Sequence, residues 1–229
     1  GEQEHELYER STQVPVVHSV SFAYKDIDTW HKVALGQEPG HIYSRNTNPT
    51  VRAFEDKVKV LEGAEAATSF SSGMAAISNT LGTFLRPGNR IVSIKDSYGG
   101  TNVIFNEFLP PLGIEVALCE TGDYEQLEAE IAKGCTVLYL ETPTNPTIKI
   151  TDIKRLATKA HQVGALVVVD NTFATPINQL PLTLGADIVL HSASKYLGGH
   201  ADALGGVICG ATELVEKVYH YREINGATL

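Results

Sequence analysis

The chain is short of cysteine. Its three, Cys119, Cys135 and Cys209, show no CxxC spacing, so they suggest neither a disulfide framework nor a paired-thiol motif. Each lies in or beside an apolar segment and reads as a buried free thiol in a reducing compartment. Long apolar runs are also missing. The longest are strand-sized, so no segment reads as a membrane-spanning helix. The first residues, Gly1-Glu2-Gln3-Glu4-His5-Glu6, hold no apolar signal-peptide core. Basic charge is scarce, with 18 Lys and Arg against 27 Asp and Glu and a net charge of −9. A surface of that sign repels a phosphate backbone, which argues against nucleic acid as a partner. Repeats and low-complexity tracts are absent as well. These absences together set the expectation of a soluble cytoplasmic protein.

What is present is enough apolar material, 43% of the residues, for a sizeable core. Residues 1–48 lack a sustained period and carry scattered aromatics, Phe22, Tyr24, Trp30 and Tyr43. They read as an extended arm with short helical pieces. From Pro49 onward, over 49–229, helices and strands alternate. Asn48-Pro49-Thr50 starts a helix with Val51, Phe54, Val58 and Leu61 on one face, and Gly63 stops it. A second helix opens at Gly73. Strands are expected at 91–95, 115–119, 136–141, 166–170 and 188–191, with a further short one over 205–209. Helical stretches fall near 101–109, 123–132, 151–163 and 212–221. Apolar strands without polar alternation, separated by helices, imply an α/β fold with a mostly parallel sheet buried on both faces.

In such sheets ligands bind at the carboxyl ends of the strands. The strand Leu166-Val167-Val168-Val169 closes on Asp170, and Ile188-Val189-Leu190 runs into His191-Ser192-Ala193-Ser194-Lys195. A lysine at the end of one strand and a carboxylate at the end of another are what pyridoxal 5'-phosphate (PLP) requires. The amine condenses with the cofactor aldehyde, and the carboxylate keeps the pyridine nitrogen protonated. The flanking serines, Ser192 and Ser194, can hold the phosphate. Ser71-Ser72-Gly73-Met74 precedes a helix and could cradle a phosphate, although taken alone ordinary N-capping is the commoner reading. Tyr98, before two glycines, could stack on a flat ring or simply sit in a turn. Asn145 could donate to a ligand oxygen, and Asn-Pro is also a plain turn signal.

The order of these features resembles the family of PLP enzymes of cysteine and methionine metabolism, which includes cystathionine γ-synthase, O-acylhomoserine sulfhydrylases, cystathionine γ-lyase and methionine γ-lyase. The matching segments run from Tyr43-Ser44-Arg45 and Thr47-Asn48-Pro49-Thr50 through Ser72-Gly73-Met74-Ala75 and Tyr98-Gly99-Gly100-Thr101. They continue with Glu141-Thr142-Pro143-Thr144-Asn145-Pro146, Val169-Asp170-Asn171-Thr172 and Ser192-Ala193-Ser194-Lys195-Tyr196. The resemblance implies the large domain of the aspartate aminotransferase-like fold, fold type I, preceded by an arm. It implies that Lys195 bonds the cofactor and shuttles protons, that Asp170 pairs with the ring nitrogen, and that Tyr98 stacks on the ring and assists proton transfer. Asn145 would lie near the ring hydroxyl, with Thr172 among the cofactor contacts. The Gly73 and Met74 amides and the Ser192 and Ser194 hydroxyls would bind the phosphate. Tyr43 and Arg45 would reach the phosphate of a neighbouring subunit in a homotetramer with shared sites.

Members of that family are nearly twice this length, and a second, smaller domain supplies the arginine for the substrate carboxylate. That domain is expected to be absent here. The residue after Tyr98-Gly99 is Gly100, where methionine γ-lyases typically carry cysteine. The expected reaction is therefore γ-replacement on an O-acylhomoserine by a sulfur nucleophile. A γ-lyase activity and a PLP-binding but catalytically incomplete fragment are the alternatives. An aminotransferase is disfavoured by the Ser192 to Lys195 context and by the Tyr43-Ser44-Arg45 arm.

Overall fold

The computed structural model describes residues 10–229, so residues 1–9 of the arm lie outside the described residues. Among its described residues the arm holds one short helix, α1 (Ile27–Ala34), and one isolated bridge, Ser21 to Tyr43. It ends at Asn48, whose side chain accepts the amides of Thr50 (2.9 Å) and Val51 and so caps α2 (Pro49–Glu62). Pro49 at the first turn needs no amide partner, and Gly63 closes the helix in the left-handed conformation at φ 66°.

Seven strands form one sheet: β1 (Ala66–Phe70), β2 (Arg90–Ile94), β3 (Glu115–Cys119), β4 (Val137–Glu141), β5 (Leu166–Asp170), β6 (Ile188–Ser192) and β7 (Gly206–Gly210). Their spatial order is β1-β7-β6-β5-β4-β2-β3. The five strands from β6 to β3 are mutually parallel, and β7 runs antiparallel to both of its neighbours. The chain steps outward from β2 to β3 and then returns to the other side of β2 with β4. That reversal opens a crevice at the carboxyl ends of β2 and β4.

The sheet is apolar on both faces, as its uninterrupted strands require. Ile91, Val137, Tyr139, Val168, Ile188 and Leu190 pack under α3 (Gly73–Phe84) and α8 (Thr212–Asn225). Val92, Leu138, Leu140, Val167, Val169 and Val189 pack under α5 (Tyr124–Ala132) and α6 (Ile153–Gln162). Each fully buried aliphatic side chain of this kind contributes about 1.5–3 kcal/mol. At the far edge, Val58 of α2 packs with Ala67, Val207 and Cys209.

Two elements differ from the sequence expectation. Strand β1 does not stand out in the sequence, because Ala-Ala-Thr-Ser-Phe holds only one bulky apolar residue. It forms because β7 offers a complete antiparallel register from Gly210 to Gly206. The helix expected near 101–109 starts earlier, as α4 (Gly99–Val103). It then widens into a π-turn at Ile104–Phe108 and tightens at Pro110–Leu112, where two prolines end it. The remaining helix, α7 (Thr175–Asn178), is a single turn after β5. All three cysteines are buried and free. Among the described residues no helix is long and apolar enough to cross a membrane.

Candidate active site

One cavity of about 170 Å³ opens at the carboxyl ends of the strands. Its walls come from four strand ends and one helix start. Asp170 is the last residue of β5, and Glu141 is the last of β4. Ser192 ends β6, and Lys195 follows it in a turn tied by Lys195 N–H to Ser192 O (3.2 Å) and Gly198 N–H to Ala193 O (2.8 Å). Tyr98 sits in the connection from β2 to α4, and Gly73 and Met74 open α3. Gly73, Met74, Tyr98, Asn145, Asp170, Thr172, Ser192, Ser194 and Lys195, spread over 123 positions from 73 to 195, all line this single cavity.

Asp170 is 7% exposed. Burial pushes its carboxyl above the usual range, and hydrogen bonds to Thr172 oppose that shift. The Thr172 hydroxyl donates to Asp170 Oδ1 at 2.6 Å, and the Thr172 amide donates to the same oxygen at 3.0 Å. The same hydroxyl accepts the Ser192 amide at 2.9 Å. Thr172 therefore joins the end of β5 to the end of β6, and it orients Asp170. Behind Asp170, the Tyr139 hydroxyl lies 3.4 Å from Oδ2. The Ser194 hydroxyl exchanges hydrogen bonds with Gly205, accepting its amide at 3.0 Å.

The start of α3 fits a phosphate. Ser72 caps the helix by accepting the Ala75 amide at 3.1 Å, and its carbonyl takes the Ala76 amide. The Gly73 and Met74 amides have no intrahelical acceptor and belong to residues lining the cavity. A Cβ on Gly73 would stand 2.6 Å from Ser192 Cβ. Only glycine lets this helix close against the end of β6. Glycine is needed again at Gly206, where a Cβ would meet the Ser72 carbonyl oxygen at 2.1 Å.

Tyr43 and Arg45 do not line the cavity. The Arg45 guanidinium donates to the Glu223 carbonyl oxygen of α8 and lies 5.6 Å from the centre of the Tyr43 ring. Both side chains are exposed.

Glu141 closes β4 at the head of the Glu141-Thr142-Pro143-Thr144-Asn145-Pro146 segment, and its position in the sequence suggests no role. It is 5% exposed and lies beside Asp170, its register partner across β4 and β5. Burial, helped by the Asp170 charge, pushes its carboxyl up to about 7. A second buried pair, Glu62 and His191, lies on the opposite face of the sheet, with Glu62 also accepting from Asn171 at 3.0 Å. The glutamate before Gly63 and the histidine before Ser192 carry no sequence signal that links them. Among the described residues no cluster of His, Cys, Asp and Glu could hold a metal ion.

This donor set suits PLP: a lysine amine, a buried carboxylate held by two hydrogen bonds, and helix-start amides beside serine hydroxyls. It defines the class, a PLP-dependent enzyme built on an α/β sheet. The comparisons narrow that class. A model of the Cys/Met metabolism PLP-dependent enzyme family matches residues 1–229, and the chain belongs to that family. It is 45% identical over 212 residues to a cystathionine gamma-lyase of Bacillus subtilis, covering 92% of this chain and 56% of that protein. It is 40% identical over 219 residues to an L-methionine gamma-lyase of Fusobacterium nucleatum, covering 94% and 55%. The fold superposes on the crystal structure of cystathionine gamma synthase from Xanthomonas oryzae, solved with aminoacrylate and cysteine. The TM-score is 0.88 at 32% identity, covering 96% of this chain and 57% of that one. The chain thus spans about half the length of the curated relatives it matches.

Proposed function

We propose that the protein catalyses γ-replacement on an O-acylhomoserine, in which the acyl group leaves and a thiol or sulfide adds. The observation that carries this reading is the meeting of Lys195, Asp170 and Tyr98 in one cavity at the strand ends. When bound, PLP supplies an electron sink for the carbanion that such a reaction needs. The chain's own residues supply the rest. Lys195 would hold the cofactor carbonyl carbon and then carry protons between the α and β carbons of the substrate. Asp170, fixed by Thr172, would keep a proton on the ring nitrogen. Tyr98 would cover the ring and hold a proton near the γ-leaving group. Asn145 would donate to the ring hydroxyl. The Gly73 and Met74 amides with Ser192 and Ser194 would receive the phosphate, and Thr172 would orient Asp170 from the side.

The reading extends to assembly. Tyr43 and Arg45 would complete the phosphate site of a neighbouring copy in a dimer, two of which form a homotetramer. The planar guanidinium engages phosphate oxygens in two places, and closed two-fold symmetry makes such a contact reciprocal.

A second reading is γ-elimination from cystathionine, favoured by the 45% identity to a protein named cystathionine gamma-lyase. The same residues serve both reactions, which differ in whether a thiol adds at the γ carbon after the leaving group departs or a proton does. The deciding experiment incubates the PLP-loaded protein with O-acylhomoserine plus cysteine or sulfide, and separately with cystathionine alone. Cystathionine or homocysteine as the dominant product supports replacement. Cysteine and a 2-oxo acid released from cystathionine at a higher kcat/KM support elimination.

A further inference from the structure

Two loops carry the side chains that would lie against the cofactor. One follows β2 and holds Tyr98, and the other follows β4 and holds Asn145. Each loop is closed mainly within itself. In the first, the Asn102 side-chain amide donates to the carbonyls of Lys95 (2.8 Å) and Ser97 (3.0 Å). In the second, Ile148 N–H donates to Thr144 O (2.9 Å), Lys149 N–H to the Thr144 hydroxyl (2.9 Å), and Thr151 N–H to the Thr142 hydroxyl (2.9 Å).

What joins one loop to the other is Glu141. Its Oε2 accepts the Tyr98 amide at 2.6 Å, and its Oε1 accepts the Asn145 amide at 2.9 Å. The carboxylate sits inside the cavity wall and is almost fully buried. An outer link, the Lys149–Asp96 ion pair at 2.6 Å, is substantially exposed and so contributes little. The two amides sit on different segments, and each needs an acceptor in a place where water is scarce. Only a side chain with two acceptor oxygens at this reach can serve both. Glutamine offers one oxygen and would turn an N–H donor toward the other amide.

We infer that Glu141 is a positioning residue, whose two carboxylate oxygens clasp the Tyr98 and Asn145 loops together and so set where those two side chains meet the cofactor. The inference rests on the PLP reading of the site for its purpose, but the clasp itself is testable without PLP.

The experiment has two arms, run on wild type, Glu141→Gln and Glu141→Ala. The first measures backbone hydrogen exchange without cofactor. We expect Glu141→Gln to speed exchange at least tenfold at Tyr98 or Asn145, and Glu141→Ala at both, with β5 and β6 unchanged. The second measures the PLP Kd in two backgrounds, wild type and Tyr98→Ala with Asn145→Ala. If the clasp acts through those two residues, Glu141→Gln weakens PLP about tenfold in the first background and hardly at all in the second. Unchanged exchange at both amides overturns the inference, whether or not PLP binds. Equal weakening of PLP in both backgrounds also overturns it, because Glu141 would then act on the cofactor by another route. A wild type that takes no PLP counts against the functional reading, while the exchange arm still decides the clasp. Glu141→Gln, which keeps shape and volume, serves as the deciding variant if Glu141→Ala fails to fold.

Discussion

The rim of the sheet and the arm are built in opposite ways. At the rim the proposed site residues sit at strand ends, at a helix start or in the short connections that follow them, above a core that is apolar on both faces. Asp170 is held by Thr172, and Thr172 is held to β6 through the Ser192 amide. In the arm, only Val33 and Asn48 are buried among residues 10–48. Among the described residues its ties to the body are polar and run to two helices: Arg45 and Asn46 donate to Glu223 of α8, Arg222 of α8 donates to the Asn46 carbonyl at 2.7 Å, Val17 N–H donates to the Thr50 hydroxyl at 2.8 Å, and Asn48 caps α2. The rim therefore fixes its side chains through hydrogen bonds within this chain alone. The arm leaves the Tyr43 and Arg45 side chains exposed, with Arg45 resting on the Glu223 carbonyl of α8 rather than inside a packed core.

That contrast is open to test, and the largest effect falls on the rim. Lys195→Ala should abolish turnover while leaving weak, non-covalent PLP binding through the phosphate contacts, measured by equilibrium dialysis. Asp170→Asn should keep the fold and lower the rate of substrate α-proton exchange by a factor of about a hundred or more, as a loss of about 3 kcal/mol in carbanion stabilisation requires. Near-normal exchange in that variant would place the ring differently.

In the arm, Arg45→Ala should weaken PLP about tenfold, the scale of one lost charge-assisted contact. The melting temperature of the body should stay unchanged. Mixing Arg45→Ala with Lys195→Ala chains should give one site of full PLP affinity per mixed dimer, and one with restored turnover provided the C-terminal domain is present. Full PLP affinity in a monomer would contradict the shared-site proposal.

The smallest effects concern stability. Gly73→Ala drives a methyl group against the Ser192 backbone and side chain, and should cost about 1–3 kcal/mol in denaturant unfolding. Val14→Ala in the arm, where the valine is 52% exposed, should stay within about 0.5 kcal/mol. Glu141 binds its proton more tightly folded than unfolded, with the folded value about 7 against an ordinary 4.5. Its contribution is therefore lost as pH rises from about 4.5 through about 7. Asp170, also raised, acts in the same direction. Glu141→Gln should flatten part of that decline in unfolding titrations.

How far the sequence revealed these features follows the same division. Strands β2 to β6 were legible because each is a short apolar run bounded by turns, and the sheet they form is buried on both sides. Asp170 and Lys195 were legible only as a pair: either alone reads as a helix cap or a surface lysine, but a carboxylate closing one apolar strand and a lysine just beyond another is the pairing that PLP requires. Strand β1 was not, since its pairing is supplied by β7, more than 130 residues away in the register Ala66 to Gly210. The role of Glu141 was hidden for a similar reason. Its motif stands in plain view, but the amides it serves, at Tyr98 and Asn145, meet only after β2 and β4 have paired. The π-turn after α4 depends on packing around Phe105, which meets Tyr139 edge-on with centroids 5.5 Å apart, and periodicity does not report that.

The central claim is that the rim is a PLP site organised on Lys195. Borohydride reduction of the PLP-loaded protein, followed by peptide mapping by mass spectrometry, tests it most directly. A single phosphopyridoxyl label on Lys195 is the predicted result. A label on another lysine, such as Lys149 or Lys154, or no fixed label at all, would contradict it.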